Sequence, residues 1–267
     1  MDRRKKWKYL VVFTVAIGTF LFAAGKLRQI YLEYQKGADT YEELRQYVEE
    51  PEKKPDQSKN NESAGSEPED SYLQIDFEGL RAIYPDIIAW IDIPGAEISY
   101  PVLQGKDNHY YLTHLPSGEY GISGSVFMDY LNQSDFSDWN TIIYGHNMKD
   151  GSMFANLGKY SEETTYLGNP YFYIYTPEVI RIYHIFSCYS GKTESEAYTY
   201  RFSNIDGFLT FLTTIQEKAL YKTMVPLMED SRVVTLSTCV NTSRNHRFIV
   251  HGVLNKPIER VNEHDRL

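Results

Sequence analysis

Cysteine is scarce in this chain. Two stand in 267 residues, Cys188 and Cys239, which excludes a small scaffold held together by disulfides. Positive charge is scarce outside the first residues. Residues 1–28 hold Arg3, Arg4, Lys5, Lys6, Lys8, Lys26 and Arg28 against one acid, Asp2. The remainder carries 20 basic and 35 acidic residues, a net of −15 within an overall −9. An acidic body of that kind excludes a general nucleic-acid binder. Metal-ligand spacing is missing. His109, His114, His146, His184, His246, His251 and His264 form no HExxH pattern and no cluster with the cysteines, so neither a zinc site nor any other cofactor is implied. Internal repeats are absent. Residues 51–70 (PEKKPDQSKNNESAGSEPED) contain one Ala as their only apolar residue, cannot form a core, and read as a flexible linker.

Long hydrophobic runs are absent with one exception. Residues 9–25 (YLVVFTVAIGTFLFAAG) carry no charge and follow the basic cluster at residues 1–8. Seventeen uncharged residues lie at the short end of what spans a bilayer as a helix. Trp7 and Tyr9 sit where interfacial aromatics anchor such a segment. A cleaved signal peptide is the rival reading, but its only small-x-small site is Ala23-Ala24-Gly25. The expectation is an uncleaved signal-anchor over 9–25. A cytoplasmic tail 1–8 precedes it, and the rest of the chain lies outside the cell by the positive-inside rule. Residues 26–50 are rich in helix formers and predict a juxtamembrane helix or pair of helices, interrupted near Gly37.

Hydrophobic residues make up 42% of the chain and charged residues 24%, enough for a core of some size. That core is expected in a domain over 71–260, followed by a tail at 261–267. Residues 76–91 (DFEGLRAIYPDIIAWI) read as one or two short helices broken at Pro85. Strand patterns follow at Ile98–Gln104, Gly124–Met128, Thr141–Tyr144, Tyr171–Thr176, Val179–Tyr189, Arg232–Ser237 and Arg247–Leu254. Helical patterns occur at Ser152–Tyr160 and Ile205–Tyr221. Many short strands with few helices predict a mainly β fold, a barrel or sandwich with helical inserts.

Three local patterns carry chemistry. In Thr235-Leu236-Ser237-Thr238-Cys239 an apolar strand ends in hydroxyl residues and a thiol, a setting that exposes a cysteine rather than burying it. The alternative is a buried core cysteine, the commoner fate of a Cys taken alone. In Ile142-Ile143-Tyr144-Gly145-His146 an apolar strand runs into Gly and then His, where imidazole reaches a barrel rim or simply the surface. Arg247 opens RFIVHGVL, where it is either a solvated residue or a clamp opposite Cys239. Cys188, in the apolar run HIFSCYSG, reads as a small core residue. Antiparallel pairing of Cys239 with Arg247 would put Ser237 opposite Ile249, Thr235 opposite His251 and Val233 opposite Val253. Opposed residues share a face, so thiol and guanidinium would project together across a loop of residues 240–246. Arg244 falls inside that loop, where nothing in the pattern fixes its direction.

The chain resembles the sortases, the class B branch in particular, over roughly residues 76–256. The matching stretches are DIIAWIDIPGAEISYPVLQGKDNHYYL (86–112), GSVFMDY (124–130), NTIIYGHNMKDGSMFANL (140–157), TLSTC (235–239) and RFIVHGVL (247–254). The resemblance implies an eight-stranded β-barrel with an N-terminal helical segment and a helix in the loop before the Cys strand. It makes Cys239 the nucleophile, His146 its acid/base partner and Arg247 the stabiliser of oxyanion or substrate. It places Asn108, Leu112, Tyr144 and Ser237 on the substrate groove, with Tyr198 or Tyr200 added from the loop before the helix. Asp129 reads as structural. The implied activity is that of a membrane-anchored cysteine transpeptidase. Such an enzyme cleaves a C-terminal sorting motif of secreted surface proteins through a thioester and transfers them to an amine of peptidoglycan or another acceptor. Two other readings stand beside it. A Cys-dependent L,D-transpeptidase of peptidoglycan would resemble S-x-G-C-x-R, and the Gly and nearby Arg are missing around Cys239. A non-catalytic anchored surface module would not require Cys, His and Arg in this order.

Overall fold

The computed structural model describes residues 3–51, 72–240 and 243–260; the linker expected over 51–70 falls, apart from Pro51, outside the described residues, as does the tail 261–267. Helix α1 (Arg3–Arg45) is followed by strand β1 (Val48–Glu49), which pairs antiparallel with β2 (Gln74–Ile75). Then come α2 (Phe77–Ile83), β3 (Ile87–Ile93), β4 (Ile98–Gln104), β5 (Val126–Met128) and β6 (Asn140–Tyr144). Helix α3 (Glu163–Gly168), β7 (Tyr171–Tyr175), β8 (Val179–Lys192), α4 (Ile205–Glu217), β9 (Val233–Val240) and β10 (Ser243–Glu259) complete the chain. Strands β3 to β10 close an eight-stranded barrel in the order β10-β8-β7-β3-β4-β5-β6-β9.

Two of its pairs, β4 with β5 and β6 with β9, are parallel. Parallel neighbours cannot be joined by a tight hairpin, so each requires a long connection over the barrel end. The β4–β5 connection carries residues 105–125. The β6–β9 connection carries α3, β7, β8 and α4. The first arrives at β5 and the second leaves β6 at the same barrel mouth, and that mouth is where the chemistry-bearing side chains collect.

The expected pairing of the last two strands is present. Arg247 lies opposite Cys239, Ile249 opposite Ser237, His251 opposite Thr235 and Val253 opposite Val233. The turn is tighter than the loop expected over 240–246, because β10 already begins at Ser243, opposite Val240, with an irregularity before Arg247. The side chain of Arg244 lies outside the described ones. Val234, Leu236, Phe248 and Val250 fill the barrel core. The opposite face of these strands, with Val233, Ile249 and Val253, packs under α4. Helix α4 presents Phe208, Phe211, Leu212 and Ile215 to it, the i, i+3, i+4, i+7 stripe of an amphipathic helix. Its Asn204 cap accepts from Gly207 N at 2.9 Å.

Three sequence expectations are corrected. Residues 87–91 are not helical. Helix α2, capped by Asp76, stops at Tyr84 before Pro85, and Ile87–Ile93 forms β3. One face of that strand, Ile87, Ala89, Ile91 and Ile93, is buried, and the other carries the apolar Ile88 and buried Trp90, so the run hardly alternates in sequence and cannot be told from a buried helix by period. Residues 152–160 form not an α-helix but a 3₁₀ segment, Ala155–Ser161, leading into α3. The N-terminal segment is not interrupted at Gly37, since α1 is continuous. Gly37 is instead a point of close approach, where a Cβ would stand 2.7 Å from Ser123 Oγ.

The last turns of α1 belong to the packed unit, which therefore begins before residue 71. Leu44 and Tyr41 are buried in the barrel's core cluster. The Tyr41 hydroxyl donates to Gly124 O at 2.7 Å, its ring meets Tyr100 edge-on at 5.2 Å, and Lys36 pairs with Glu119 at 3.0 Å. Truncating a fully buried leucine costs about 2–5 kcal/mol, because transfer energy is lost and a cavity remains. Leu44→Ala should therefore lower the free energy of unfolding by about that much, measured by urea titration of the chain in detergent. An unchanged midpoint would mean that this helix end contributes nothing to the barrel.

Candidate active site

Three strand ends build the site. Strand β6 stops at Tyr144 and the chain continues into Gly145, His146 and Asn147. Strand β9 carries Ser237, Thr238 and Cys239 just before its end at Val240. Strand β10 brings Arg247. The parallel ladder sets Tyr144 beside Ser237, and the antiparallel one sets Cys239 beside Arg247. Two further bonds lock the His loop onto the Cys strand. Gly145 N donates to Ser237 O at 3.1 Å, and Asn147 Nδ2 donates to Cys239 O at 2.7 Å. Gly145 has no alternative there, since a Cβ would stand 2.5 Å from the Phe154 ring.

Every site residue expected from the sequence lines one cavity of about 500 Å³: Asn108, Leu112, Tyr144, His146, Ser237, Cys239 and Arg247. Of the two loop tyrosines, Tyr198 lines it, whereas Tyr200 lies under the Arg201 guanidinium and does not. His109, Phe127, Thr193 and Thr238 also line it and were not read from the sequence. Neither was Asn147. Its position beside His146 was visible, but its partner is a backbone carbonyl 92 residues away.

His146 Nε2 lies 2.7 Å from Leu112 O. A carbonyl only accepts, so Nε2 carries the proton and Nδ1 remains for chemistry. Nδ1 is then an acceptor in the neutral ring and a donor in the cation. Leu112, expected as a groove residue, thus also orients the imidazole through its backbone.

Asp129 organises the opposite wall. Its Oδ2 accepts from Asn108 Nδ2 at 2.7 Å and from the Tyr144 hydroxyl at 2.9 Å, while Oδ1 accepts from Leu131 N at 3.0 Å. The reading of Asp129 as structural fits this geometry, and the groups it holds are two of the expected groove residues. Burial, reinforced by that carboxylate, keeps the Tyr144 phenol far above the usual tyrosine range, so it stays neutral. Tyr198 shares a hydrogen bond with Ser237 Oγ at 2.9 Å, and its ring lies parallel to Tyr144 at 6.3 Å. Burial raises its phenol too, opposed in part by the Ser237 bond and the positive charge of Arg247. The guanidinium therefore acts on both tyrosines from within the cavity. Its Nη1 also donates to His246 O at 3.0 Å.

The second cysteine stands elsewhere. Cys188 is fully buried and donates to Tyr160 O at 3.0 Å, and burial pushes its thiol up to about 11. Both cysteines are free thiols, and Cys239 is only partly buried. Among the described residues no group of three or more His, Cys, Asp or Glu is arranged to hold a metal ion.

Comparison with known proteins gives one family. The Sortase domain family model matches residues 91–255. Sortase B of Listeria monocytogenes is 36% identical over 185 residues, covering 68% of this chain and 75% of its own. Sortase B of Staphylococcus aureus is 30% identical over 237 residues, covering 89% of this chain and 91% of its own. Among solved structures, sortase B from Bacillus anthracis in complex with AAEK1 superposes with a TM-score of 0.69 at 33% identity, covering 86% of this chain and 100% of that one. Clostridium perfringens sortase B gives 0.64 at 34%, covering 68% and 100%. A Staphylococcus aureus sortase B–substrate complex gives 0.64 at 32%, covering 69% and 85%.

The two thiols should differ sharply in reactivity, because the thiolate is the nucleophile and Cys188 is both buried and held neutral. Iodoacetamide at neutral pH should label Cys239 and leave Cys188 unmodified in the folded chain, read by peptide mass spectrometry. Comparable labelling of both would contradict the burial of Cys188.

Proposed function

The chain belongs to the sortase family, in its class B branch of cysteine transpeptidases, and from that premise we propose that Cys239, His146 and Arg247 perform the transfer on a peptide bound along Asn108, Leu112, Tyr144 and Ser237. The observation that carries this reading is the register of β9 and β10. It puts Cys239 and Arg247 side by side on one sheet face, while Asn147 ties the carbonyl of Cys239 to the loop bearing His146.

In this reading the Cys239 thiolate attacks the carbonyl of a scissile peptide bond in an extended sorting motif. The tetrahedral oxyanion is met by the Arg247 guanidinium and backbone N–H groups. As the C–N bond breaks, the His146 cation gives its Nδ1 proton to the leaving amine, and a thioester remains on Sγ. An incoming amine then gives a proton back to Nδ1 and attacks the thioester. The new amide forms and the thiolate is restored. The leaving and incoming groups are both amines, so one imidazole serves both steps by reversal of role.

The cellular placement follows the same reading. The apolar stretch of α1 is exposed along 9–25, and α1 is, among the described residues, the one helix long and apolar enough to cross a membrane. We take 1–8 as a cytoplasmic tail, 9–25 as the anchor, and the barrel as a catalytic domain outside the cell. There it would join secreted surface proteins to a peptidoglycan or other cell-wall amine. External protease on wall-stripped cells should release the barrel, and its protection would reverse the orientation.

The catalytic assignment has its own test. Cys239→Ala should abolish peptide cleavage with the fold intact, and His146→Ala should cost about 10²–10⁴-fold in rate. Arg247→Ala should cost roughly 10²–10³-fold. Arg247→Lys should recover little, since the planar fork is lost, while Arg244→Ala should be mild. The rate should be bell-shaped in pH, because one group acts as a base and one as an acid. An inactive Arg244→Ala beside an active Arg247→Ala would overturn the arginine assignment.

A further inference from the structure

Asn140 opens β6 and is fully buried, well away from solvent and from the cavity lining. It has no role in the chemistry above, yet every polar atom of its side chain is committed. Nδ2 donates to Ala197 O at 3.0 Å and to Thr199 O at 2.9 Å. An amide nitrogen has two hydrogens, and each has a carbonyl. Oδ1 accepts from Thr235 Oγ1 at 2.7 Å. Thr235 has given its only proton to Asn140, so its 2.9 Å contact with His251 Nδ1 requires Nδ1 to be the donor. His251 Nε2 is then an acceptor, facing the Tyr189 hydroxyl at 3.3 Å. Burial holds His251 down to about 3, so the ring is neutral and this tautomer persists at neutral pH. The chain of partners therefore fixes which way the Asn140 amide points.

The two carbonyls it holds belong to the residues on either side of Tyr198. That tyrosine sits at the end of the 3₁₀ turn Glu196–Tyr198, in the connection between β8 and α4. The Ala197 methyl group and the Glu196–Lys218 ion pair pin the base of the turn. Among the described residues, only the Asn140 amide grips both sides of Tyr198 at once. From there the phenol reaches Ser237 Oγ and its ring lies parallel to Tyr144, within the cavity that holds Cys239. We propose that Asn140 is a positioning residue for the substrate groove: its amide clamps the carbonyls flanking Tyr198 and so fixes the wall that Tyr198 forms beside the thiol. Asn140 touches no substrate, and its effect passes through Tyr198. The proposal deepens the peptide-groove reading and rests on it for its kinetic arm alone.

The experiment has a structural arm and a kinetic arm, both on the full chain in detergent. Loss of two hydrogen bonds corresponds to roughly 10- to 100-fold in the closed-to-open ratio of the loop. In Asn140→Ala, hydrogen exchange at residues 195–201 should accelerate by about that factor, while β9 and β10 remain protected. With a sorting-motif peptide, KM should rise about 10-fold and kcat should hold within about 2-fold, the signature of lost ground-state binding. Alkylation of Cys239 by iodoacetamide should be unchanged. In a Tyr198→Ala background the same substitution should cost less than about 2-fold, because the effect has no other route.

Asn140→Asp keeps the volume and the acceptor for Thr235 but loses at least one of the two donated bonds. It should give the same pattern if Asn140→Ala does not fold. Unchanged exchange at 195–201 overturns the clamp. So does an equal cost with and without Tyr198, or a fall in kcat and alkylation at constant KM. A wild-type chain that cleaves no sorting peptide overturns the groove reading instead, and the exchange measurement still decides the clamp.

Discussion

The pairing of β9 with β10 is the constraint on which the rest of the site depends. Side chains alternate along each strand, so one register decision sorts both strands at once. Val234, Leu236, Phe248 and Val250 go into the barrel. Thr235, Ser237, Cys239, Arg247 and His251 go to the other face, beneath α4 and the connection before it. A slip of one residue would put hydroxyls, thiol and guanidinium into the core and strand the apolar set outside. The energy of core burial thus specifies the chemical face. Cys239, the proposed nucleophile, is aimed by the burial of the strands' other face.

The parallel partnership of β6 and β9 adds the third component. A parallel neighbour delivers its end at the same rim as the end of β9, so His146 emerges beside Cys239 and not at the far end of the barrel. The remaining wall arrives on the long connections that parallel pairing demands. One carries Asn108 and Leu112, the other Tyr198. Each is tied back by polar anchors: Asp129 for the first, Asn140 and Ser237 for the second. The site is therefore a rigid strand platform with two tethered arms.

What the sequence discloses follows this division. Strands β4, β9 and β10 were legible because β-branched residues are bounded by turn signals, and in β9 and β10 the polar side chains fall mainly on one face. Once the two strands are taken as antiparallel neighbours, alternation is consistent with pairing Cys239 with Arg247, the register the structure has. Strand β3 was not legible, because IIAWIDI carries apolar residues on both faces up to Asp92 and has little period to read. Gly37 misled for a related reason. Glycine marks either a break or a close approach, and only the Ser123 side of the contact decides which. The anchors of the arms were the least visible. Asn147, Asp129 and Asn140 are ordinary polar residues whose partners lie up to 95 positions away, and no local pattern encodes such a partner. The family resemblance supplied groove positions on the first arm but could not choose between Tyr198 and Tyr200 on the second, where the deciding contact is with Ser237.

The continuity of α1 bears on how such an enzyme meets its substrate. A helix rises about 1.5 Å per residue, so the stretch from residue 26 to 36, before the turns that pack on the barrel, is a strut of roughly 15 Å. In the proposed placement, with residues 9–25 held in a bilayer, the barrel would not swing on a loose leash through a hemisphere. It would ride at a set altitude and turn mainly about the strut. Encounter then becomes a two-dimensional problem, in which areal density and lateral diffusion replace bulk concentration and tumbling. A polypeptide still threaded in the same bilayer would present its cleavage point at a fixed number of residues from its own membrane exit, and the strut length would act as a ruler for that number.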